Sequence, residues 1–486
     1  MRDCTKWKGK IVKILVAIAN YGTKNVHLAE KLINTYRNFK HDVDIVVLSN
    51  IDKDFGDNVD VRVGLPSENP WSLPFAHRPI FVDRKDDYDL FIYSEDDTEI
   101  KEEHIDAFLK ATEVLPADKI AGFIRYEIAE DGTTYYSTVH GRYYWDPNSV
   151  FQAGGYTFAR YTNDHAASYI LTRQQLHRCI ESGGYAITPH EGRYDMLCSA
   201  ATDPYTRCGL AKVIPISHLP QFRLRHLSDV YLGRIGIEKQ EVDRQIEKLL
   251  SLVQQDGEPR GPLFNPRPRL DTAEFDKRYF QPYRQDIIDA LPRGARRVLS
   301  IGCERGLSER RLIELGHEVT AVPLDCVIAE SAKMRGIEVL PADYGMASET
   351  LGDRRFDALL FNNVLQYVEQ PEDLIRKFLK HVAPGGIVVA ESYNFAHVSL
   401  RMRRYKGDPV ARRLNGHATF ADTGIHTVSG AGIRQWFKAA GLQPQRISYQ
   451  LEGREARLSK YSLGTVDPWL GRRFVALAAR GNGVPA

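Results

Sequence analysis

Short apolar runs alternate with amphipathic stretches along most of the chain. In the first half, Ile11–Ala19, Asp44–Ser49, Val59–Val63, Tyr88–Tyr93, Ala121–Ile128, Ala166–Leu171 and Ala211–Ile216 have the length and composition of strands. Val26, Ala29, Leu32, Ile33, Tyr36 and Phe39 share one helical face, predicting a helix over 25–39, and Glu102–Val114 has the same character. Such alternation predicts an α/β layered unit with a mostly parallel sheet. The second half offers Arg297–Ile301, Glu318–Val322, Ile337–Leu340, Phe356–Phe361, Gly386–Glu391, Gln445–Gln450 and Arg473–Ala478. Helical segments separate the first five, so an open, Rossmann-like seven-stranded α/β sheet is expected, with ligands at the C-terminal strand ends.

Between the halves the periodicity stops. Gln254–Asp271, QQDGEPRGPLFNPRPRLD, carries prolines at 259, 262, 266 and 268, which disfavour helix and central strand alike. The expectation is two domains, 10–253 and 272–486, with 254–271 as linker. Just before it, Ile237, Val242, Ile246, Leu249, Leu250 and Val253 predict a helix that closes the first domain.

Composition narrows the function classes. Lys plus Arg number 65 and Asp plus Glu 63, a net charge of +2 that argues against a dedicated nucleic-acid binder. No apolar run approaches the ~20 residues of a membrane span. Arg2, Asp3, Lys6, Lys8 and Lys10 precede no secretory apolar core. Six scattered cysteines without a C-x-x-C pair argue against a disulfide framework or structural zinc. A cytoplasmic protein is expected, drawn to a membrane surface only if its substrate is lipid-linked.

Candidate chemistry in the first half begins at Tyr88–Thr98, YDLFIYSEDDT, a strand that stops at three acids. At an extended strand end Glu95 and Asp97 point the same way, and two such carboxylates can hold a hard divalent cation. The cation would neutralise a diphosphate leaving group. The plain alternative is a solvated acidic turn before the helix that starts near Lys101.

This segment resembles the acid-x-acid motif of nucleotide-sugar glycosyltransferases of the GT-A fold. The opening strand followed by Asn20-Tyr21-Gly22 and a helix is similar to that family's start, as is Tyr194–Pro215, YDMLCSAATDPYTRCGLAKVIP. The resemblance implies metal-dependent (Mn²⁺ or Mg²⁺) glycosyl transfer from a nucleotide sugar to a glycan or lipid-linked glycan. It places Asp195 as the acceptor-activating base, with Glu191 as competitor and a helix cap as the alternative. His218 then matches a third metal ligand beside Glu95 and Asp97, with His226 as rival. Tyr135, Tyr136, Tyr143, Tyr144, Trp145, Tyr156 and Tyr161 offer either an acceptor platform or an aromatic core.

In the second half, RVLSIGCERGL (297–307) reads as strand, tight turn and helix. Gly302 and Gly306 allow close backbone approach to a ligand at a helix N-terminus. Asp325, 23 positions after Gly302, suits a carboxylate that takes ribose hydroxyls. Asp343 ends the third strand and Asn362-Asn363 the fourth. With FDALLFNNVLQYVEQPEDLI, the turn APGG and GIHTVSGAGIRQWFKAAGL, the set resembles class I S-adenosylmethionine-dependent methyltransferases. That resemblance implies S-adenosylmethionine bound by Gly302, Cys303, Gly306, Asp325, Asp343 and Asn362, and methylation of a sugar hydroxyl, with His397, His417 or His426 as base.

Three positions depart from the family pattern. Ser300 stands where an acid is usual, Pro323 occupies the commonest ribose-acid position, and Glu304 brings a negative charge towards the cofactor's carboxylate unless Arg305 or another cation compensates. The combined expectation is a bifunctional enzyme of polysaccharide biosynthesis. Two alternatives stay open: a nucleotidyltransferase in the first half, disfavoured by the sparse NYGTKN loop, and a degenerate, non-catalytic cofactor-binding or scaffold domain in the second.

Overall fold

The computed structural model describes residues 10–137, 141–232, 236–254 and 257–480; Cys4 and the charged residues Arg2, Asp3, Lys6 and Lys8 lie outside the described residues. The chain divides into two compact units, Met1–Gln254 and Gln255–Ala486.

In the first unit, β1 (Lys13–Ala19), β2 (Asp42–Ser49), β3 (Val59–Val63) and β4 (Leu90–Glu95) pair in parallel in the order β4-β1-β2-β3. Apolar side chains on both faces make β1 and β4 buried along nearly their whole length, as a parallel sheet covered by helices requires. The helix α1 (Val26–Arg37) turns Ala29, Leu32, Ile33 and Tyr36 inward.

The expected run Ala121–Ile128 divides into Lys119–Ala121 and β5 (Ile124–Ile128). The break is Gly122, where a Cβ would sit 2.4 Å from the side chain of buried Lys212. An edge strand, β6 (Ser168–Thr172), lies antiparallel to β4. After it come α2 (Met196–Thr206) and β7 (Arg223–His226), the latter parallel to β5 with Leu224 opposite Arg125.

In the second unit, β8 (Arg297–Cys303), α3 (Leu307–Glu314), β9 (Glu318–Pro323), α4 (Ile328–Lys333), β10 (Glu338–Val339), α5 (Tyr344–Leu351), β11 (Phe356–Phe361) and β12 (Val382–Tyr393) follow one another. With β13 (Leu442–Tyr449) and β14 (Arg473–Arg480) they form one sheet in the order β10-β9-β8-β11-β12-β14-β13. The first five strands are parallel and β14 runs against β12 and β13. This is the Rossmann-like arrangement expected, its core built from Val298, Leu312, Ala358, Leu360, Val389 and Val475.

The proline-rich stretch is not a free spacer throughout. Arg260 O accepts from Cys326 N (3.1 Å), Leu263 N donates to Leu324 O (2.9 Å) and Arg269 N to Thr423 O (2.7 Å), so 260–269 is laced onto the second unit. Phe264 stacks on Tyr367 at 5.2 Å.

Candidate functional sites

Where β4 ends, a cavity of about 630 Å³ opens in the first unit. Glu95 and Asp97 line it together with Asp195, Arg125, Lys24, Trp71, His226 and Tyr231. The strand geometry separates the acids: Asp96, between them, turns away to accept from Asn20 (2.6 Å) and Asn25 (2.9 Å). The turn is not the cap of the following helix, because Lys101 occupies that N-cap and His104 Nδ1 accepts from its backbone N–H (2.9 Å).

The cavity's charges are strongly perturbed. Burial and the neighbouring Asp97 push Glu95 up to about 8. For Asp97 the effect of burial is outweighed by the hydrogen bond and charge of His226, which hold it below the usual carboxylate range. His226 Nε2 lies 3.2 Å from Asp97 Oδ2, and its Nδ1–H donates to buried Glu127 at 2.6 Å. Glu127 also accepts from the Tyr231 backbone N–H (3.1 Å), and the Tyr231 ring stacks on His226 at 5.3 Å.

Two sets of alternatives in this unit differ in where their residues lie. His218 does not line the cavity; it packs on Tyr156 (4.6 Å) and bonds Ser217, while its rival His226 takes the place beside Asp97. The aromatic run is mostly core: Tyr136, Tyr143, Tyr144 and Trp145 are buried, Tyr143 stacks on Tyr194, and none of the run lines the cavity. Asp195 caps α2, Oδ1 accepting from Cys198 N (2.8 Å), and the residue also lines the cavity. Glu191 is exposed and outside it. Arg125, Lys24 and Trp71 went unnoticed in the sequence.

In the second unit, β8 runs into the turn before α3. Gly302 (φ +85°) and Gly306 (φ +86°) hold left-handed backbone, and an added Cβ would meet Val364 at 2.1 Å and Ile337 at 2.4 Å. Both glycines are therefore demanded by packing as well as by the turn. Ser300, where an acid is usual, has an acid beside it instead: its Oγ donates to buried Glu309 of α3 at 2.7 Å.

Glu304 is buried, and its carboxylate receives Lys277 Nζ at 2.5 Å and the Gln281 amide. Lys277, itself fully buried, also donates to the Asn362 carbonyl at 2.8 Å. Burial raises Glu304 and Lys277 pulls it back. The compensating cation is thus Lys277, while Arg305 lies 5.9 Å over the Phe280 ring.

The remaining expected contacts are placed as follows. Asp325 is fully buried, with Oδ1 accepting from Val327 N and Ile328 N (both 2.8 Å), and the Gly261 backbone packs on it. Those bonds hold the turn that leads into α4. Asp343 is exposed and caps α5 through Met346 N (2.8 Å). Cys303 and Asn362 are buried, and Asn362 Oδ1 has no hydrogen-bond partner among the described residues. Of the candidate bases, His397 caps a helix through Ser399 and His426 donates Nε2–H to the carbonyls of Val368 (3.0 Å) and Glu369 (3.2 Å). His417 is exposed.

Residues 273–446 match a family model described as a methyltransferase domain. The chain is similar to ubiquinone biosynthesis O-methyltransferase of Xanthomonas oryzae pv. oryzae, 28% identical over 190 residues, 37% of this chain and 77% of that protein. The homologous protein of Xanthomonas axonopodis pv. citri is 29% identical over 191 residues, with the same two coverages of 37% and 77%. Among solved structures, an S-adenosylmethionine-dependent methyltransferase from Mesorhizobium loti aligns with a TM-score of 0.30 and 19% identity, covering 40% of this chain and 95% of that one. The N-methyltransferase NodS from Bradyrhizobium japonicum, solved with S-adenosyl-L-homocysteine, aligns with a TM-score of 0.26 and 18% identity, covering 38% and 78%. The second unit thus carries a methyltransferase domain over residues 273–446. Among the described residues no helix is long and apolar enough to cross a membrane.

Proposed function

We propose that the methyltransferase domain acts on a hydroxyl of a glycan or related acceptor, and that the first unit transfers a sugar from a nucleotide donor. Similarity to O-methyltransferases favours an oxygen acceptor in the second unit. S-adenosylmethionine, when bound, supplies a methyl group on a sulfonium centre. The buried turn after β8 fits the cofactor's amino-acid end: Glu304, the Asn362 carbonyl and the unpartnered Asn362 Oδ1 are acceptors for an ammonium, and Lys277 is a donor for a carboxylate.

One observation carries the glycosyl-transfer reading: Glu95, Asp97 and Asp195 share a cavity of about 630 Å³ at the C-terminal end of a central parallel strand, with Lys24 and Arg125 beside them. A divalent cation fits the acids, since Glu95 Oε1 and Asp97 Oδ1 are buried with no hydrogen-bond partner among the described residues. No three acidic, histidine or cysteine side chains converge there as a ready metal cage among the described residues. Two protein carboxylates, with donor phosphate oxygens and water completing the shell, is an arrangement magnesium commonly takes. Lys24 and Arg125 would balance the diphosphate, and Asp195 would accept the acceptor's hydroxyl proton.

The test is donor hydrolysis across a panel of nucleotide sugars, with and without Mn²⁺ or Mg²⁺. Metal-dependent turnover of one donor that disappears in Asp97→Ala, and that falls in Asp195→Asn with cation affinity retained, is the expected result. Turnover indifferent to Asp97→Ala would remove the acids from the mechanism.

A further inference from the structure

The buried cluster after β8 has an unusual source. Lys277 comes from the irregular segment between the proline-rich stretch and the sheet, yet its ammonium is fully buried against Glu304 and the Asn362 carbonyl. An ion pair in a protein interior repays its desolvation only with close geometry and further hydrogen bonds. Gln281 supplies one of these, and Asn362, whose carbonyl Lys277 bonds, has a buried Oδ1 with no hydrogen-bond partner among the described residues. The amino-acid end of S-adenosylmethionine is a zwitterion, one ammonium and one carboxylate on the same carbon, which is the charge pattern the cluster already contains.

We propose that Lys277 and Glu304 form an exchangeable ion pair that selects the zwitterionic end of the cofactor. On binding, the Lys277–Glu304 contact opens. Glu304 and Asn362 take the incoming ammonium while Lys277 takes the carboxylate. One buried ion pair is exchanged for two, with net charge unchanged, so no isolated charge is left in the interior. An adenosine ligand lacking the amino-acid end offers neither partner and cannot drive the opening. The inference rests on the methyltransferase reading of this unit and assigns Lys277 and Glu304 a role in cofactor selection.

Calorimetric titration of the full chain with S-adenosylhomocysteine and with 5′-methylthioadenosine tests it. The wild type is expected to favour S-adenosylhomocysteine by about 100-fold. Lys277→Met should weaken S-adenosylhomocysteine by about 30-fold, leaving 5′-methylthioadenosine within about 3-fold as the control for an intact site. Lys277→Arg, which keeps the charge, should retain the preference and supplies the comparison if the methionine variant does not fold.

Tighter or unchanged S-adenosylhomocysteine binding by Lys277→Met would overturn the proposal and make Lys277 a plug or a bystander. Equal wild-type affinity for the two ligands would overturn it while leaving the methyltransferase reading in place. Binding of neither ligand by folded wild type would take down both and favour a scaffold domain.

Discussion

At the end of β4 Glu95 Oε1 and Asp97 Oδ1 belong to cavity-lining residues and have no hydrogen-bond partner among the described residues, whereas around β8 and β12 each acid has at least one oxygen held by a side chain of its own unit. Glu304 has Lys277, Glu309 has Ser300, and Glu391 has Arg284 (2.9 Å) and Arg473 (3.2 Å). Both sets lie at the C-terminal ends of parallel strands, where α/β sheets bind ligands. The difference is in who supplies the counter-charge. Glu304 and Glu391 have Lys or Arg side chains in direct contact, whereas Asp97 has His226 and Glu95 feels Arg125 only through space.

That contrast can be broken most sharply at Asp97. Asp97→Ala should lower cation-dependent donor turnover by about 1,000-fold, read as initial rates at saturating Mn²⁺. In the second unit the matching strike is Glu391→Leu, which removes the carboxylate from Arg473 and leaves Arg284 with Asp286 alone. The unfolding free energy should fall by about 3 kcal/mol, measured by urea denaturation of that unit's transition. Glu127→Gln loosens the support of His226 without touching either acid. Mn²⁺ affinity should drop by about 10-fold in calorimetry, with the thermal midpoint near that of wild type, because His226 orients Asp97.

The pH dependence of Glu95 sharpens the comparison further. Burial and Asp97 raise it from 4.5 to about 8, so the cation-free folded chain keeps a proton that the unfolded chain gives up. Its contribution to stability is whole below about 4.5 and is lost as pH rises to about 8. Glu95→Gln should therefore match wild type at pH 4 and exceed it in thermal midpoint by about 4 °C at pH 8. Added Mn²⁺ should restore the wild type only. The smallest effect belongs to His218→Ala, expected to leave cation affinity unchanged, because that ring packs on Tyr156 away from the cavity.

Local pattern was enough for much of this architecture. Val59–Val63, Glu102–Val114 and Phe356–Phe361 appear with the bounds that their apolar periodicity predicts. The acids at the end of β4 were legible because strand end and chemistry are adjacent in sequence. His226 could not be chosen over His218 in the same way. Its position depends on β7 pairing with β5, a contact about a hundred residues apart in the chain. Trp145–Ala153 and Tyr156–Tyr161 are strands whose mixed aromatic and polar residues show no clear alternation. Lys277 escaped for another reason. It sits in a segment with no regular secondary structure, where periodicity carries no information about burial.

The lacing of 260–269 onto the second unit bears on how the two halves could be separated or joined. Composition alone would nominate the whole proline-rich stretch as a place for a protease to nick or an insertion to be absorbed. Such tolerance depends on what the backbone is bonded to. Extra residues placed after Arg260 would have to break the bonds from Cys326 and to Leu324, and would lift Gly261 from Asp325. A cut there would leave the methyltransferase domain without part of its own cover. From Arg260 to Arg269 the stretch is fabric of the domain.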